Sequence, residues 1–411
     1  MKYELVLRLL CGADGAYNHR PMRKNTSRGF TLLELMITAV LLVVISGAAL
    51  ALFSRQQPLF NRQQGQSGLN IAVRNAIAQL QLDIVNAGSG TLLGPNMPNP
   101  PVGVSVSNSI PSSPCNNAAT FSYGSNCFDQ LNVIAADPNT APAHPDNGSF
   151  IPSTSNCVLS SSSPMYLYPP SGTTVAAATA YAANFHSGDE LLLLNVGGTQ
   201  YTTVLLTSNG SAFTSGTNSG VKLSFSATNA DGTNSAADDY LFLTQTSYTT
   251  NANGNPYVGT TQFCSPDWVV RLAPITYSVD TSNPSNPQLV RTEGGAVSNP
   301  CTAPACSVLA QQVIGFKVGA ALWATSDDCG IYNYYASNPL GSPPLCDAGA
   351  NTSGYNNEFW LIRSIQISLI GRTTPATDPT YTYRNGFDNG PYQIESVSVV
   401  VNPRNLSMNN Q

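Results

Sequence analysis

Hydrophobic and polar positions divide the chain into three regimes. From Phe30 to Phe53 the residues are apolar or small, and Glu34 is the only ionisable one. As a helix these 24 residues would run about 36 Å, enough to cross a hydrocarbon core of about 30 Å. Arg23, Lys24 and Arg28 precede the run, and Arg55 and Arg62 are the nearest cations after it. That excess places the N-terminus in the cytoplasm and the rest outside.

In the second regime Leu69, Val73, Ile77, Leu80 and Ile84 recur at steps of three and four. They form one apolar stripe of an amphipathic helix, while Asn70, Arg74, Asn75 and Gln81 fall on other faces. Pro58, Gly65 and Gly68 predict a bend or loosening before the stripe. Asn86-Ala87-Gly88-Ser89-Gly90 predicts the end, with glycine suited to a C-cap. The stripe should pack against a sheet.

The third regime is strands between turn signals. Thr91–Ser125, rich in Pro, Asn, Ser and Gly, reads as loop. Strands are expected near Gln130–Ala135, Glu190–Val196, Thr199–Thr207, Val221–Ser226, Tyr240–Thr246, Trp268–Leu272, Ile275–Val279, Gln288–Arg291, Val313–Val318, Trp360–Ile370 and Ser396–Val401. Ile365–Ile370 alternates most clearly, as a half-buried strand does. Asn229–Asn234 reads as a hairpin turn. The fold class expected is α+β: a long N-terminal transmembrane and amphipathic helix packed on an antiparallel β-sheet head with disulfide-tied loops. Its parts are a leader 1–29, a transmembrane helix 30–53, an amphipathic helix 54–90 and a β-rich head 91–411.

Charge changes the picture little. The chain has 411 residues, a net charge of −5 and 9% charged residues. From Thr91 onward 8 Lys and Arg face 18 Asp and Glu, so no nucleic-acid-binding surface is evident. The 42% apolar content and 18 tyrosines argue for a packed head rather than disorder.

The nine cysteines change it more. Cys11 lies in the leader. Cys115, Cys127, Cys157, Cys264, Cys301, Cys306, Cys329 and Cys346 all fall beyond the membrane run, an even number that fits an oxidising compartment. Eight cysteines allow 105 connectivities. Proximity favours Cys115–Cys127, Cys301–Cys306 and Cys329–Cys346, which leaves Cys157–Cys264. No paired C-x-x-C is present, and beyond the leader only His144 and His186 remain, so no zinc site is expected.

Catalytic signatures are missing: there is no G-x-S-x-G, P-loop, G-x-G-x-x-G or H-E-x-x-H. His144 between prolines reads as solvated loop, and His186 beside Gly188-Asp189 as turn surface. Asp238-Asp239 and Asp327-Asp328 lack calcium-loop spacing and read as solvated turns. Trp268, Trp323 and Trp360 read as core. Neither an enzyme nor a cofactor is expected.

Glu34 is the residue a plain anchor would not carry. A central carboxylate costs about 2.5–3.5 kcal/mol in a spanning helix, and less near the interface. A free amine is the obvious compensating charge, and cleavage between Gly29 and Phe30 would create one four residues before it. A secretory signal is the bland rival, with Ala49-Leu50-Ala51 as its cleavage box. The run before that box is too long, however, and neither a signal nor an anchor explains Glu34.

The string Gly29-Phe30-Thr31-Leu32-Leu33-Glu34-Leu35-Met36-Ile37 resembles the processing site of type IV pilins and type II secretion pseudopilins. The resemblance implies that a prepilin peptidase cuts after Gly29 and methylates Phe30. It also implies that Glu34 meets the N-terminal amine of a neighbouring subunit. Partners would be other minor and major pilins, the inner-membrane assembly platform and the membrane. Met22 would give a short leader of the pilin type, so Met22 is the expected start, or residues 1–21 leave with the leader. More loosely, the succession Gly188–Leu192, Ile275–Val279, Gln288–Arg291, Val308–Val318 and Val399–Leu406 is similar to the larger minor pilins of the PilW type. It is more distantly similar to the J-type pseudopilins.

Overall fold

The computed structural model describes residues 31–91, 103–107, 116–117, 120–151, 156–159, 163–196, 201–225, 262–294, 300–303, 306–322, 333–334, 362–376 and 381–407. The chain divides into two units, Met1–Arg62 and Gln63–Gln411.

Helix α1 (Leu32–Val85) contributes to both. In the N-terminal unit every side chain from Leu32 to Phe53 is exposed. A stretch this apolar and this bare is long enough to cross a membrane, and a soluble core helix would bury one face. The helix runs without interruption through Pro58, Gly65 and Gly68. Proline removes a single ladder hydrogen bond, and turns on either side of it keep theirs.

In the head the stripe behaves as its period requires. Leu69, Val73, Ile77, Leu80 and Ile84 are all buried, and Arg74 and Asn75 are exposed. The helix stops at Val85 in a run of turns. Gly88 and Gly90 there adopt positive φ of 73° and 71°, which favours glycine. At Gly90 a Cβ would also stand 2.7 Å from the Ala136 Cβ.

Sheet strands begin with β1 (Val104–Ser107), the two-residue pair β2 (Asn116–Asn117) and β3 (Ser122–Tyr123), and β4 (Gln130–Val133). The segment expected to be loop thus holds three short strands, too brief for a periodic signal. A contiguous lobe follows. It contains β5 (His144–Asp146), β6 (Cys157–Leu159), β7 (Met165–Tyr168), α2 (Val175–Ala182), β8 (Glu190–Leu194), β9 (Tyr201–Leu205), β10 (Ser211–Ser215), β11 (Asn218–Leu223), β12 (Gln262–Cys264) and β13 (Trp268–Arg271). The chain then returns with β14 (Ile275–Asp280), β15 (Gln288–Glu293), β16 (Cys306–Gln311), β17 (Val313–Leu322), β18 (Asn333–Tyr334), β19 (Ile362–Arg372), β20 (Ile394–Val401) and α3 (Arg404–Ser407).

Two antiparallel sheets make the frame, ordered β1-β4-β14-β15-β16 and β18-β17-β19-β20. Strand β4 pairs directly with β14, Val133 opposite Ile275. Everything between them is therefore inserted between two neighbouring strands. The lobe carries sheets β10-β11-β7-β5, β12-β6 and β13-β8-β9. Thr174 caps its short helix by accepting the Ala177 amide at 3.2 Å.

Among the described residues the head has two hydrophobic cores, one under α1 and one in the lobe. Sheet β13-β8-β9 lies between them. Successive residues of a strand point to opposite faces. Leu192, Leu194 and Val270 accordingly enter the first core, and Leu191, Leu193 and Val269 the second. All five residues of β8 are buried, and the four leucines that follow Glu190 read as a continuous apolar run.

Ten of the eleven expected strands appear at or near their expected places. Tyr240–Thr246 and the turn Asn229–Asn234 lie outside the described residues.

Candidate processing and assembly site

Thr31 and Glu34 form a reciprocal cap at the start of α1. The Thr31 amide donates to Glu34 Oε2 at 3.0 Å and its hydroxyl to the same oxygen at 3.1 Å. In return the Glu34 amide donates to Thr31 Oγ1 at 3.3 Å. This is the capping-box arrangement, in which each side chain satisfies a helix-start amide that the helix cannot pair internally. The carboxylate also lies in the first turn, where the helix dipole favours a negative charge. Glu34 therefore finds part of its compensation in its own chain, not only in a partner's amine. The Thr-x-x-Glu spacing ahead of an apolar run is the sequence signal for this cap. Gly29 and Phe30 lie outside the described residues.

The helix that carries this site is fixed to the head by a polar anchor. Asp83 Oδ2 accepts the Tyr277 hydroxyl at 2.5 Å and Arg291 Nε at 2.7 Å. Gln79 donates to the other oxygen at 3.2 Å. Burial, with the Asp83 carboxylate beside it, raises the Tyr277 hydroxyl far above the usual phenol range. Packing sets the distance as well: a Cβ at Gly371 would stand 2.7 Å from Leu69 Cδ1 and 3.0 Å from Val73 Cγ2.

The neck of the inserted lobe is held by one arginine. Arg271 grips Asp189 with Nε at 2.8 Å and Nη2 at 3.2 Å, and reaches Asp137 with Nη1 at 2.5 Å. Burial alone would raise the Asp137 pKa, but hydrogen bonds from Thr140, the Asn139 amide and Arg271 outweigh it and hold the group below its ordinary value. A short bridge, Ala136 opposite Leu272, closes the neck beside it.

Two of the four expected disulfides are present. Cys157–Cys264 joins facing residues of β6 and β12, and Cys301–Cys306 ties Cys301 to the first residue of β16. Cys127 is buried, while Cys115, Cys329 and Cys346 lie outside the described residues. The pairs Cys115–Cys127 and Cys329–Cys346 therefore stand as expectations.

One histidine expectation is corrected. His144 is not solvated loop: it lies in β5, half-buried, with Nδ1 2.8 Å from the Asp267 carbonyl and its ring 4.1 Å from that of Trp268. The apolar flank of Trp268 draws it out of water. His186 is exposed in a turn, 3.7 Å from Asp189, as expected. Trp268 packs against the first core. Among the described residues no cluster of His, Cys, Asp and Glu is arranged to hold a metal. Trp323, Trp360, Asp238-Asp239 and Asp327-Asp328 lie outside those residues.

The prokaryotic N-terminal methylation motif matches residues 24–50, which include Lys24, Arg28, Thr31, Glu34 and most of the exposed apolar stretch of α1. No curated protein and no solved structure matches the chain. The motif indicates a type IV pilin-like protein, a class that includes the pseudopilins. It implies processing by prepilin peptidase and association with other pilins.

Proposed function

We propose that this chain is a minor pilin of the type IV pilus, of the PilW type, which initiates assembly or sits at the pilus tip. Its work is assembly, not catalysis. The reading is carried by the methylation motif at the head of a helix whose first apolar stretch, Leu32–Phe53, is wholly exposed. Prepilin peptidase cuts between Gly29 and Phe30 and methylates the freed Phe30. The subunit waits in the inner membrane with its N-terminus cytoplasmic and its head outside, and α1 then packs among the helices of other minor and major pilins above the assembly platform.

In this mechanism Thr31 holds one oxygen of Glu34, and the carboxylate receives the methylated Phe30 amine of a neighbour. An ion pair in lipid is favourable only when well aligned, so it gives register more than raw stability. Thr31 thus orients the acid rather than competing for it. A head with an inserted second lobe suits a tip position better than a shaft, where many copies pack closely. The competing assignment is a type II secretion minor pseudopilin, and gene neighbourhood separates the two.

Glu34→Ala tests the register mechanism. The variant should be cleaved normally, because Gly29 and Phe30 are intact. Its amount in sheared filaments should fall about tenfold or more, which corresponds to the loss of about 1.4 kcal/mol. Wild-type amounts in filaments would remove Glu34 from the mechanism.

A further inference from the structure

We infer that the loop Tyr381–Phe387, between β19 and β20, is a docking surface for a carboxylate-bearing patch on the head of a neighbouring pilin-like subunit. The inference rests on the assembly role proposed above.

Three observations carry it. The first is exposure: Tyr383 and Phe387 are 45% and 50% exposed, four residues apart, and the Tyr381 and Tyr383 rings lie 6.0 Å from each other. Isolated exposed apolar residues are ordinary, but aromatics grouped with an arginine match the composition of interface hot spots.

The second is support. Asn385, only 3% exposed, accepts the Phe387 and Asp388 amides at 2.8 and 3.0 Å. Its own amide nitrogen donates to Asp388 at 2.8 Å and to the Gly390 carbonyl at 3.0 Å. The other oxygen of Asp388 takes the hydroxyls of Tyr123 and Tyr392, both buried. The loop is thereby shaped before any partner arrives, which lowers the ordering cost of binding.

The third is the state of Arg384. Nη1 donates to the Tyr381 and Tyr383 carbonyls at 2.9 and 2.8 Å and folds the side chain against the loop. Among the described residues Nε and Nη2 make no hydrogen bond. That free edge of the guanidinium is the fork that grips a carboxylate through two parallel bonds.

Position names the occupant. The Thr373 amide bonds to the Gln393 carbonyl at 2.9 Å, so the base of the loop sits beside Gly371, where Leu69 and Val73 pack. Within the head this is the end from which the docked stretch of α1 begins. Subunits that assemble through α1 bring that end of their heads side by side.

The test is photo-crosslinking of the full-length protein in cells that also make its partner pilins, with p-benzoylphenylalanine in place of Phe387. The expected adduct joins this chain to a different subunit carrying the N-terminal methylation motif, identified by its peptides. Its yield should fall about tenfold in Arg384→Ala, with Arg384→Lys similarly reduced because an ammonium cannot form the fork. Both substitutions lie at an exposed side chain, so head abundance should not change. An adduct with lipid, with a second copy only, or with no protein would overturn the inference, as would full yield in Arg384→Ala. The mature N-terminus is read from the same cells. A freed Phe30 without the adduct sinks the docking surface alone, and an intact leader sinks the assembly role itself.

Discussion

Arg372→Ala is expected to lower the stability of the head by about 3–5 kcal/mol, because three hydrogen bonds from a charged donor are lost together and water recovers only part of them. Arg372 ends β19 and is 1% exposed. Its Nε donates to Gln312 Oε1 at 2.7 Å, Nη1 to the Phe121 carbonyl at 2.6 Å and Nη2 to the Ser285 carbonyl at 2.7 Å. The guanidinium also lies 4.9 Å from the Tyr392 ring centre and 5.5 Å from that of Tyr123. Both tyrosine hydroxyls turn to Asp388, so the cation is answered through two aromatic rings rather than by a direct ion pair. Burial would push the Asp388 carboxyl upward, but the Tyr123, Tyr392, Asn385 and Gly390 donors outweigh it and hold the group low. Three segments distant in sequence thus meet on one side chain, and alanine removes the donor from all three at once. Arg372→Lys keeps the charge but offers a compact ammonium in place of the planar fork, so it should recover only part of the loss. Urea unfolding of the full chain in detergent measures this as a shift in midpoint at constant slope. A loss under about 1 kcal/mol, the net worth of one ordinary hydrogen bond, would show the network to be incidental.

Leu192→Ala and Leu193→Ala should each cost about 2–5 kcal/mol, as deletions from a packed core do. The two residues are adjacent, yet they belong to different cores, Leu192 under α1 and Leu193 in the inserted lobe. Both are 1% exposed or less. Because one three-stranded sheet lines both cores, damage to either face weakens the support of the other. Each variant should therefore unfold in one transition shifted as a whole, with tyrosine fluorescence and far-UV circular dichroism coinciding. Two separated transitions, only one of them moved by a given variant, would show that the lobe unfolds by itself.

The sequence made the helical parts of this architecture legible because their signals are local. The stripe from Leu69 to Ile84 repeats at the helical period and is buried as that period requires. The run Leu191–Leu194 identified a strand, but an unbroken apolar run cannot say that its two faces serve two cores. The insertion was hidden for a related reason. Its defining fact is that Val133 lies opposite Ile275, a pairing between residues far apart in sequence. The polar anchors are equally non-local: nothing around Asp83 announces Tyr277 or Arg291, and nothing around Arg372 announces Phe121 or Ser285.

At the candidate site Glu34 stood out because a charge among apolar residues demands a partner. Thr31 carries a local signal of its own, since its three-residue spacing from Glu34 is that of a capping box. His144 misled for the opposite reason. Flanking prolines suggested loop, and the tryptophan that shelters it comes from a strand more than a hundred residues later.

The most direct measurement is the mass and fragmentation of the N-terminal peptide of the mature protein, purified from cells with an active prepilin peptidase. A chain beginning at Phe30 and bearing one methyl group on its terminal nitrogen is the expected result. A chain that keeps its basic leader through Gly29, or that begins at Leu52 after cleavage behind Ala51, would contradict the account and leave a tethered or secreted ectodomain in its place.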